Sequence, residues 1–347
     1  MQTSAFPLQA ATTRKPRVGL LSIITAAYIA ATFAALFLHW VVGERFMPIS
    51  LMNDNLELLL IPSLVLLPLS LVRRKGWFSR LLILPVATFL FFYAPLFLPQ
   101  NITVPPDAQQ IKLLTYNMQA EEDLLEPMVQ VIRDSGADIV ALQEMSAKMA
   151  ARLDEALTDI YPYRALHPMT SPYHGRGILS RYPLTNDRAW PEDYPIPVRL
   201  QRVEVDVDGT SVTIFNMHAP PSVPIFEGSY DIGPRKQQIA DLVDMARQEP
   251  GAVLMMGDFN TTDMDENYAR ITAQFADTFR EVGWGLGFTN PDWQHDNPRR
   301  GPSFVPRYQR IDYVFHNSFF TPIEARVGES SGGSDHRPLF AILALNP

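Results

Sequence analysis

The spacing of apolar positions changes character near residue 100. Before it the apolar runs are almost unbroken. Val18–Val42 is interrupted only by His39 and small hydroxyl residues, Leu58–Val72 is shorter and contains Pro62 and Pro68, and Leu81–Leu98 is apolar throughout with Pro85 and Pro95. About 20 apolar residues cross a bilayer as a helix, and proline is tolerated there when neighbours satisfy the freed backbone groups. The pattern predicts three transmembrane helices, the second the shortest and the most broken. A cleaved signal peptide fits less well, because the first run is too long and no small-residue cleavage site follows it closely.

After residue 110 the pattern is that of a globular domain. Strands are expected over Ile111–Tyr116, Asp138–Leu142, Gly177–Ser180, Arg202–Val207, Ser211–Asn216, Ala252–Met256, Ile311–His316 and Leu339–Leu343. Helices are expected over Glu121–Asp134, where Leu124, Leu125, Met128, Val129 and Ile132 share one face, over Ser146–Thr158, and from Pro234 through Ile239, Leu242, Val243 and Ala246. Asp208-Gly209 between two strands reads as a hairpin turn. Hairpins interleaved with helices argue for a mixed-sheet α/β domain. The expected organisation is a cytoplasmic tail over 1–17, a membrane anchor over 18–99, a short stiff linker over 100–110 containing Pro105 and Pro106, and a globular domain over 111–347.

Charge adds direction. Arg14, Lys15 and Arg17 precede the first apolar run, and Arg73, Arg74, Lys75 and Arg80 separate the second from the third. The loop between the first and second holds Arg45 against Glu44, Asp54 and Glu57. Cationic loops stay on the cytoplasmic side, so the N-terminus is expected inside and the globular domain outside the cytoplasm. Only 8 of the 29 basic and 3 of the 37 acidic residues precede Asp107, which leaves the domain a net charge of about −13. Nucleic-acid binders generally show a basic footprint, so a nucleic-acid partner is disfavoured. The 347 residues include no cysteine, which excludes disulfides, thiolate metal sites and a cysteine nucleophile.

Polar chemistry gathers at strand ends. KLLTYN ends on Asn117, DIVALQE on Glu144, TIFNMH on Asn216 and His218, and VLMMGDFN on Asp258 and Asn260. RIDYVF places Asp312 at a strand start, and GGSDHRP places Asp335 and His336 before the last strand. Any one has an ordinary explanation: a turn residue or helix cap for Asn and Asp, a satisfied buried acid for Asp312, a structural histidine for His218. Recurrence at six strand ends changes the balance. If these groups converge, the site holds carboxylates for a hard cation, histidines for proton and phosphate work, and amides for orientation.

The series Asn117, Gln143-Glu144, His218, Gly257-Asp258-Phe259-Asn260, Asp312 and Ser334-Asp335-His336-Arg337-Pro338 resembles the endonuclease/exonuclease/phosphatase superfamily, in its order and over the whole domain; GILSRYPL (Gly177–Leu184) is also similar to a family segment. The resemblance implies a four-layered α-β-β-α sandwich of the DNase I-like type and metal-assisted hydrolysis of a phosphoester or phosphoanhydride. It implies Glu144, Asn117 and Asp335 as ligands of Mg²⁺ or Mn²⁺. Asp258 would orient or deprotonate water, Asn260 would hold Asp258 and a phosphate oxygen, His336 paired with Asp312 would face the phosphoryl group, and His218 would add a contact or a proton.

Weaker candidates surround this set. His174 and Arg176, in the segment Tyr173–Gly177, could touch substrate, and Arg235 could face phosphate or sit on a helix surface. Gly285–Tyr308 is expected as a long rim loop, and His39, His167, His295 and His316 as structural or exposed. A short linker would hold the site near the bilayer, where a lipid-linked phosphate or pyrophosphate is at high effective concentration. The anchor plus domain resembles bacterial membrane proteins of the superfamily whose proposed substrates are cell-envelope lipid phosphates, including those linked to glycopeptide-antibiotic resistance. The expected function is a membrane-anchored, extracytoplasmic phosphohydrolase. An anchored nuclease and a non-catalytic binding module of the same fold are the alternatives.

Overall fold

The computed structural model describes residues 19–100, 102–105, 107–120, 122–168, 175–190, 199–221, 231–291 and 308–346. Four helices come first: α1 (Leu20–Val42), α2 (Met47–Asn53), α3 (Leu56–Val72) and α4 (Gly76–Tyr93), the last extended by a 3-10 turn over Ala94–Phe97. Helix α1 and the stretch Gly76–Phe97 are each long and apolar enough to cross a membrane. Helix α3 has 17 residues, roughly 25 Å of rise, which falls short of a hydrocarbon core about 30 Å thick. It reaches the required length only together with α2, and the two meet at a bend of 54°. The described residues therefore hold two candidate spans, or three if the bent pair counts as one, where three helices were expected. Pro62 and Pro68 lie inside α3 and Pro85 inside α4. Polar links join these helices: the Tyr28 hydroxyl donates to the Leu59 carbonyl at 2.9 Å, and Ser70 meets Ser79 at 2.7 Å.

The remaining elements alternate along the chain. They are β1 (Gln110–Asn117), α5 (Leu125–Ser135), β2 (Ile139–Gln143), α6 (Ala147–Leu157), β3 (Tyr163–His167), β4 (Arg176–Ser180), β5 (Leu184–Ala189), β6 (Leu200–Val207) and β7 (Thr210–His218). Then come α7 (Gly233–Gln248), β8 (Ala252–Asp258), α8 (Glu266–Thr272), β9 (Ala276–Asp277), α9 (Thr278–Val282), β10 (Asp312–His316), β11 (Phe320–Val327) and β12 (Leu339–Leu345). Among the described residues they form two six-stranded sheets, ordered β11-β12-β1-β2-β4-β3 and β5-β6-β7-β8-β10-β9. The inner faces pack Leu113, Ile139 and Ile178 against Val203, Ile214, Leu254 and Val314. Helices α5 and α6 cover the outer face of the first sheet through Met128, Ile132, Met149 and Leu153, and α7 and α8 cover the second through Ile239, Leu242 and Ile271. This is the expected α-β-β-α layering.

Local chemistry explains the element ends. Ser146 caps α6 by accepting from the Met149 amide, and Gly136 closes α5 at φ 63°. Asp208 and Gly209 both have positive φ, as the hairpin turn between β6 and β7 requires. Strands β3, β5, β9 and β11 escape the sequence pattern because they are the edges of the two sheets. β5 (LTNDRA) is mostly exposed and bulged between Thr185 and Arg188, and β11 carries Pro322 at its own irregularity.

Register brings the polar strand ends to one edge of the sandwich. In the first sheet the parallel pair β1–β2 places Asn117 beside Gln143, one residue before Glu144. In the second, the parallel pair β7–β8 places His218 opposite Asp258, and antiparallel β10 places Asp312 opposite the same Asp258.

The N-terminal helices are packed against the domain. Leu56, Leu60, Phe89, Tyr93 and Leu96 belong to the same buried cluster as Phe279 and the inner sheet faces. The Gln100 amide donates to Glu281 at 2.9 Å, the Gly285 amide to Leu96 at 2.7 Å, and Arg280 to the Phe92 carbonyl at 2.6 Å.

Candidate active site

All eight residues singled out as site candidates lie around one cluster where the two sheets meet. The Asn117 amide nitrogen is 3.0 Å from Glu144 Oε1 and 3.0 Å from Asp258 Oδ2, so one side chain bridges the sheets. His218 Nε2 is 3.4 Å from Glu144 and 3.8 Å from Asp258. His336 Nε2 approaches Asp258 at 3.7 Å, while its Nδ1 meets Asp312 Oδ2 at 2.8 Å. The Asn260 amide donates to Asp258 Oδ1 at 2.8 Å, and its side chain donates to the Ala219 carbonyl at 2.8 Å. The Asp335 amide donates to the Gln119 side chain at 2.9 Å.

The backbone here is held in unusual conformations. Glu144 has φ 52° and Asn260 φ 45°. Asparagine tolerates the left-handed region, but a glutamate there costs about 1–3 kcal/mol, which the surrounding packing must offset. Gly257 is required by close approach: a Cβ at this position would lie 1.9 Å from the Met217 carbonyl oxygen of β7. The glycine lets β8 pair tightly with β7 and so aligns His218 with Asp258.

Burial shapes the electrostatics. The Glu144 carboxyl is pushed up to about 7 by desolvation and by the nearby Asp335 charge, against hydrogen bonding from Asn117 and the charges of His336 and Arg199. Asp258 is also raised by desolvation, with His336 pulling it down and Asp312 pushing it up. Burial alone would lower His336, but the carboxylates of Asp312, Asp258 and Asp335 outweigh it and hold the imidazole well above its ordinary value. Two groups could hold a cation by distance: Glu144, His218 and Asp258, and Asp258, Asp312 and His336. Crowded, desolvated oxygen donors at Glu144 and Asp258, destabilised as anions, suit a hard divalent ion.

Three site residues have no signal in the sequence pattern. Arg199, just before β6, is desolvated beside Glu144 and Asp258, and its Nε has no hydrogen-bond partner among the described residues. Gln119 holds the Asp335 amide, and the Asn290 side chain lies 3.4 Å from Asp335 Oδ2. All three lie outside the regular helices and strands, where no periodicity marks them. The Gln143 and Asn216 side chains point between the sheets and bond to each other at 2.8 Å, which makes them ties across the sandwich.

Other candidates lie elsewhere. Arg176 is buried and donates to the Trp190 carbonyl, away from the expected substrate contact. Arg235 neither faces the phosphate region nor sits on the helix surface; it is buried between Asp265, Glu44 and the Asn260 carbonyl. His167 pairs with Asp187 at 2.6 Å and His316 with Glu281 at 3.0 Å, as structural roles require. His174 and His295, and residues 292–307 of the expected rim loop, lie outside the described residues.

Two facing sheets with amide, carboxylate and histidine groups converging at one edge define the DNase I-like class. Residues 114–336 match the endonuclease/exonuclease/phosphatase family, and the chain belongs to that family. Its members are phosphoesterase and nuclease hydrolases. Solved structures agree on the fold. Truncated TDP2 from Caenorhabditis elegans is 20% identical at a TM-score of 0.53, covering 68% of this chain and 98% of its own. An endonuclease/exonuclease/phosphatase from Beutenbergia cavernae is 22% identical at 0.54, covering 69% and 72%. D. rerio TDP2 is 16% identical at 0.56, covering 67% and 98%. No curated protein matches the chain.

Proposed function

We propose that this protein is a membrane-anchored, divalent-metal-dependent phosphohydrolase whose site lies just outside the cytoplasmic membrane and acts on a lipid-linked phosphate or pyrophosphate. The observation that carries this reading is the closeness of site and anchor. Arg235 reaches the carbonyl of Asn260 with one nitrogen and, with the other, Glu44 in the turn that follows α1, at 3.2 Å. The site is thus one arginine side chain from the outer end of an apolar helix. A phosphate carried by a lipid would be presented at that level, whereas a soluble substrate gains nothing from it.

Two further features support the setting. The basic residues Arg73, Arg74 and Lys75 occupy the turn between α3 and α4, opposite the end that meets the domain. Exposed tryptophans mark the helix ends: Trp40 near the end of α1, Trp77 at the start of α4, and Trp284, which meets Phe97 edge-on at 5.6 Å beyond α4.

Glu144, Asn117 and Asp335 would hold Mg²⁺ or Mn²⁺, which when bound polarises a phosphoryl oxygen and steadies the leaving oxygen. Asp258 orients and deprotonates the attacking water; its raised affinity for protons suits a base working near neutral pH. Asn260 fixes both oxygens of Asp258 by its amide and side chain. Asp312 keeps the Nδ1 proton on His336, so that His336 presents a cationic Nε2 to the phosphoryl oxygens. His218 and Arg199 flank the same space. Phosphoryl transfer depends mostly on such placement and charge stabilisation.

An anchored nuclease is the second reading. One observation favours it: the D. rerio TDP2 neighbour was solved with a single-strand DNA product. The acid surplus of the domain argues against it. Purified full-length protein, assayed with polyprenyl pyrophosphate, a phospholipid panel and DNA, separates the two. Phosphate release from a lipid is expected with Mg²⁺ and not with EDTA, and Asp258→Asn is expected to lower kcat by about 10³-fold. Cleavage of DNA alone would overturn the lipid reading. Absence of any turnover by the wild type would favour a binding module.

A further inference from the structure

The loop that follows Asp258 and carries Asn260 is tied by side-chain contacts to the turn after α1. Arg235, at the start of α7, is 2% exposed and reaches three ways. Its Nη1 donates to the Asn260 carbonyl, and its Nη2 donates to Asp265 at 2.6 Å and to Glu44 at 3.2 Å. Glu44 is also buried, and its other oxygen accepts the Glu266 amide at 2.6 Å. Asp265 in turn caps α8 by accepting from the Asn267 amide at 2.7 Å. Both ends of the segment 260–266 are therefore gripped, one by Arg235 and the other by Glu44. Asn260 sits in the left-handed region, where the ordinary strand ladder does not hold its carbonyl. Burial and the Asp265 carboxylate push the Glu44 carboxyl up to about 8, against the Glu266 amide and the Arg235 charge, which favour its anion.

We propose that Glu44 is a positioning residue for the catalytic loop: the outer turn of the anchor orients Arg235, and Arg235 holds the Asn260 carbonyl that sets Asp258. The effect on rate rests on the phosphohydrolase reading, whereas the effect on the loop does not. The anchor then supplies part of the active-site frame in addition to tethering the domain. A buried arginine that keeps Asp265 but loses Glu44 has one fewer acceptor, and the Glu266 amide loses its partner, so the segment 260–266 loosens first.

The test uses full-length protein in nanodiscs: wild type, Glu44→Ala, Glu44→Gln, Glu44→Asp and, as a remote surface control, Arg152→Ala. Hydrogen exchange is followed in peptides covering 258–267 and in those covering β1 and β2. The kcat and KM are measured on whichever phosphoester the wild type turns over. Glu44→Ala is expected to quicken exchange over 258–267 about tenfold with β1 and β2 unchanged. It should lower kcat between about 10-fold and 100-fold, with KM within about twofold of wild type. Glu44→Gln keeps one acceptor oxygen and replaces the other by an NH₂ group that only donates, so it can hold either the Glu266 amide or Arg235 but not both, and is expected to show an intermediate effect on both readouts; Arg152→Ala leaves both unchanged. Should the alanine variant fail to insert, Glu44→Asp, one methylene shorter, shows the same local effect at smaller amplitude. Wild-type exchange and kcat in Glu44→Ala and Glu44→Asp overturn the proposal. So does exchange that quickens throughout the domain, because that marks lost stability. If the wild type turns over no phosphoester, the functional reading falls and exchange over 258–267 alone decides whether Glu44 positions the loop.

Discussion

At the scale of residues, burial keeps the Glu144 and Asp258 carboxyls from ionising freely. Glu144 has its proton affinity raised from the ordinary 4.5 to about 7 by burial and by Asp335. The sign of the linkage follows. The native state binds this proton more tightly than the unfolded chain, so the associated stability is fully present below about pH 4.5 and is lost as the pH rises through about 7. A bound divalent cation removes that loss by taking the proton's place. Thermal melts of the metal-free protein are therefore expected to show this group's contribution falling between pH 4.5 and 7, and added Mg²⁺ to cancel the fall. Calorimetric titration below pH 7 in two buffers of different ionisation enthalpy should register proton release on metal binding. A metal affinity independent of pH across that window would remove Glu144 from the ligand set. Identities at this scale were legible in the sequence because GDFN and SDHRP keep the functional groups next to glycine, serine and proline, which shape their backbone. Arg199, Gln119 and Asn290 were not legible, since only proximity in space gives a residue outside the periodic elements its place in the site.

At the scale of elements, interior strands announced themselves and edge strands did not. β8 is buried along its whole length and reads as a solid apolar run, whereas β5 exposes most of its residues and alternates weakly. Position within the sheet, which local composition does not encode, decides which strands carry a visible pattern. Gly257 shows how one element constrains another. Adding a Cβ 1.9 Å from the Met217 carbonyl would force β7 and β8 apart. Gly257→Ala is expected to destabilise the domain by about 2–4 kcal/mol and to abolish turnover, read by denaturant melts and by assay of the folded fraction. A fully stable, fully active Gly257→Ala protein would contradict the close pairing on which the His218–Asp258 alignment depends.

At the scale of the whole molecule, the N-terminal helices and the domain share a core, and the proposed membrane setting of the site can be tested. The chain has no native cysteine, so single cysteines report cleanly. In right-side-out membrane vesicles an impermeant maleimide is expected to label Glu329→Cys, on the domain, and to spare Lys75→Cys, in the basic turn between α3 and α4. The reverse pattern would place the domain in the cytoplasm and end the extracytoplasmic reading. The sequence by itself determined that an apolar segment precedes an acidic α/β domain and which polar side chains stand at its strand ends, because hydropathy, helix and strand period, and motif residues are local properties of the chain. Only the tertiary structure decided that Asn117 bridges Glu144 and Asp258, that α2 and α3 form a bent pair, and that Glu44 and Arg235 meet. Those facts come from packing between surfaces distant along the chain, where complementarity of shape and charge is set jointly by both partners and leaves no mark in either segment alone.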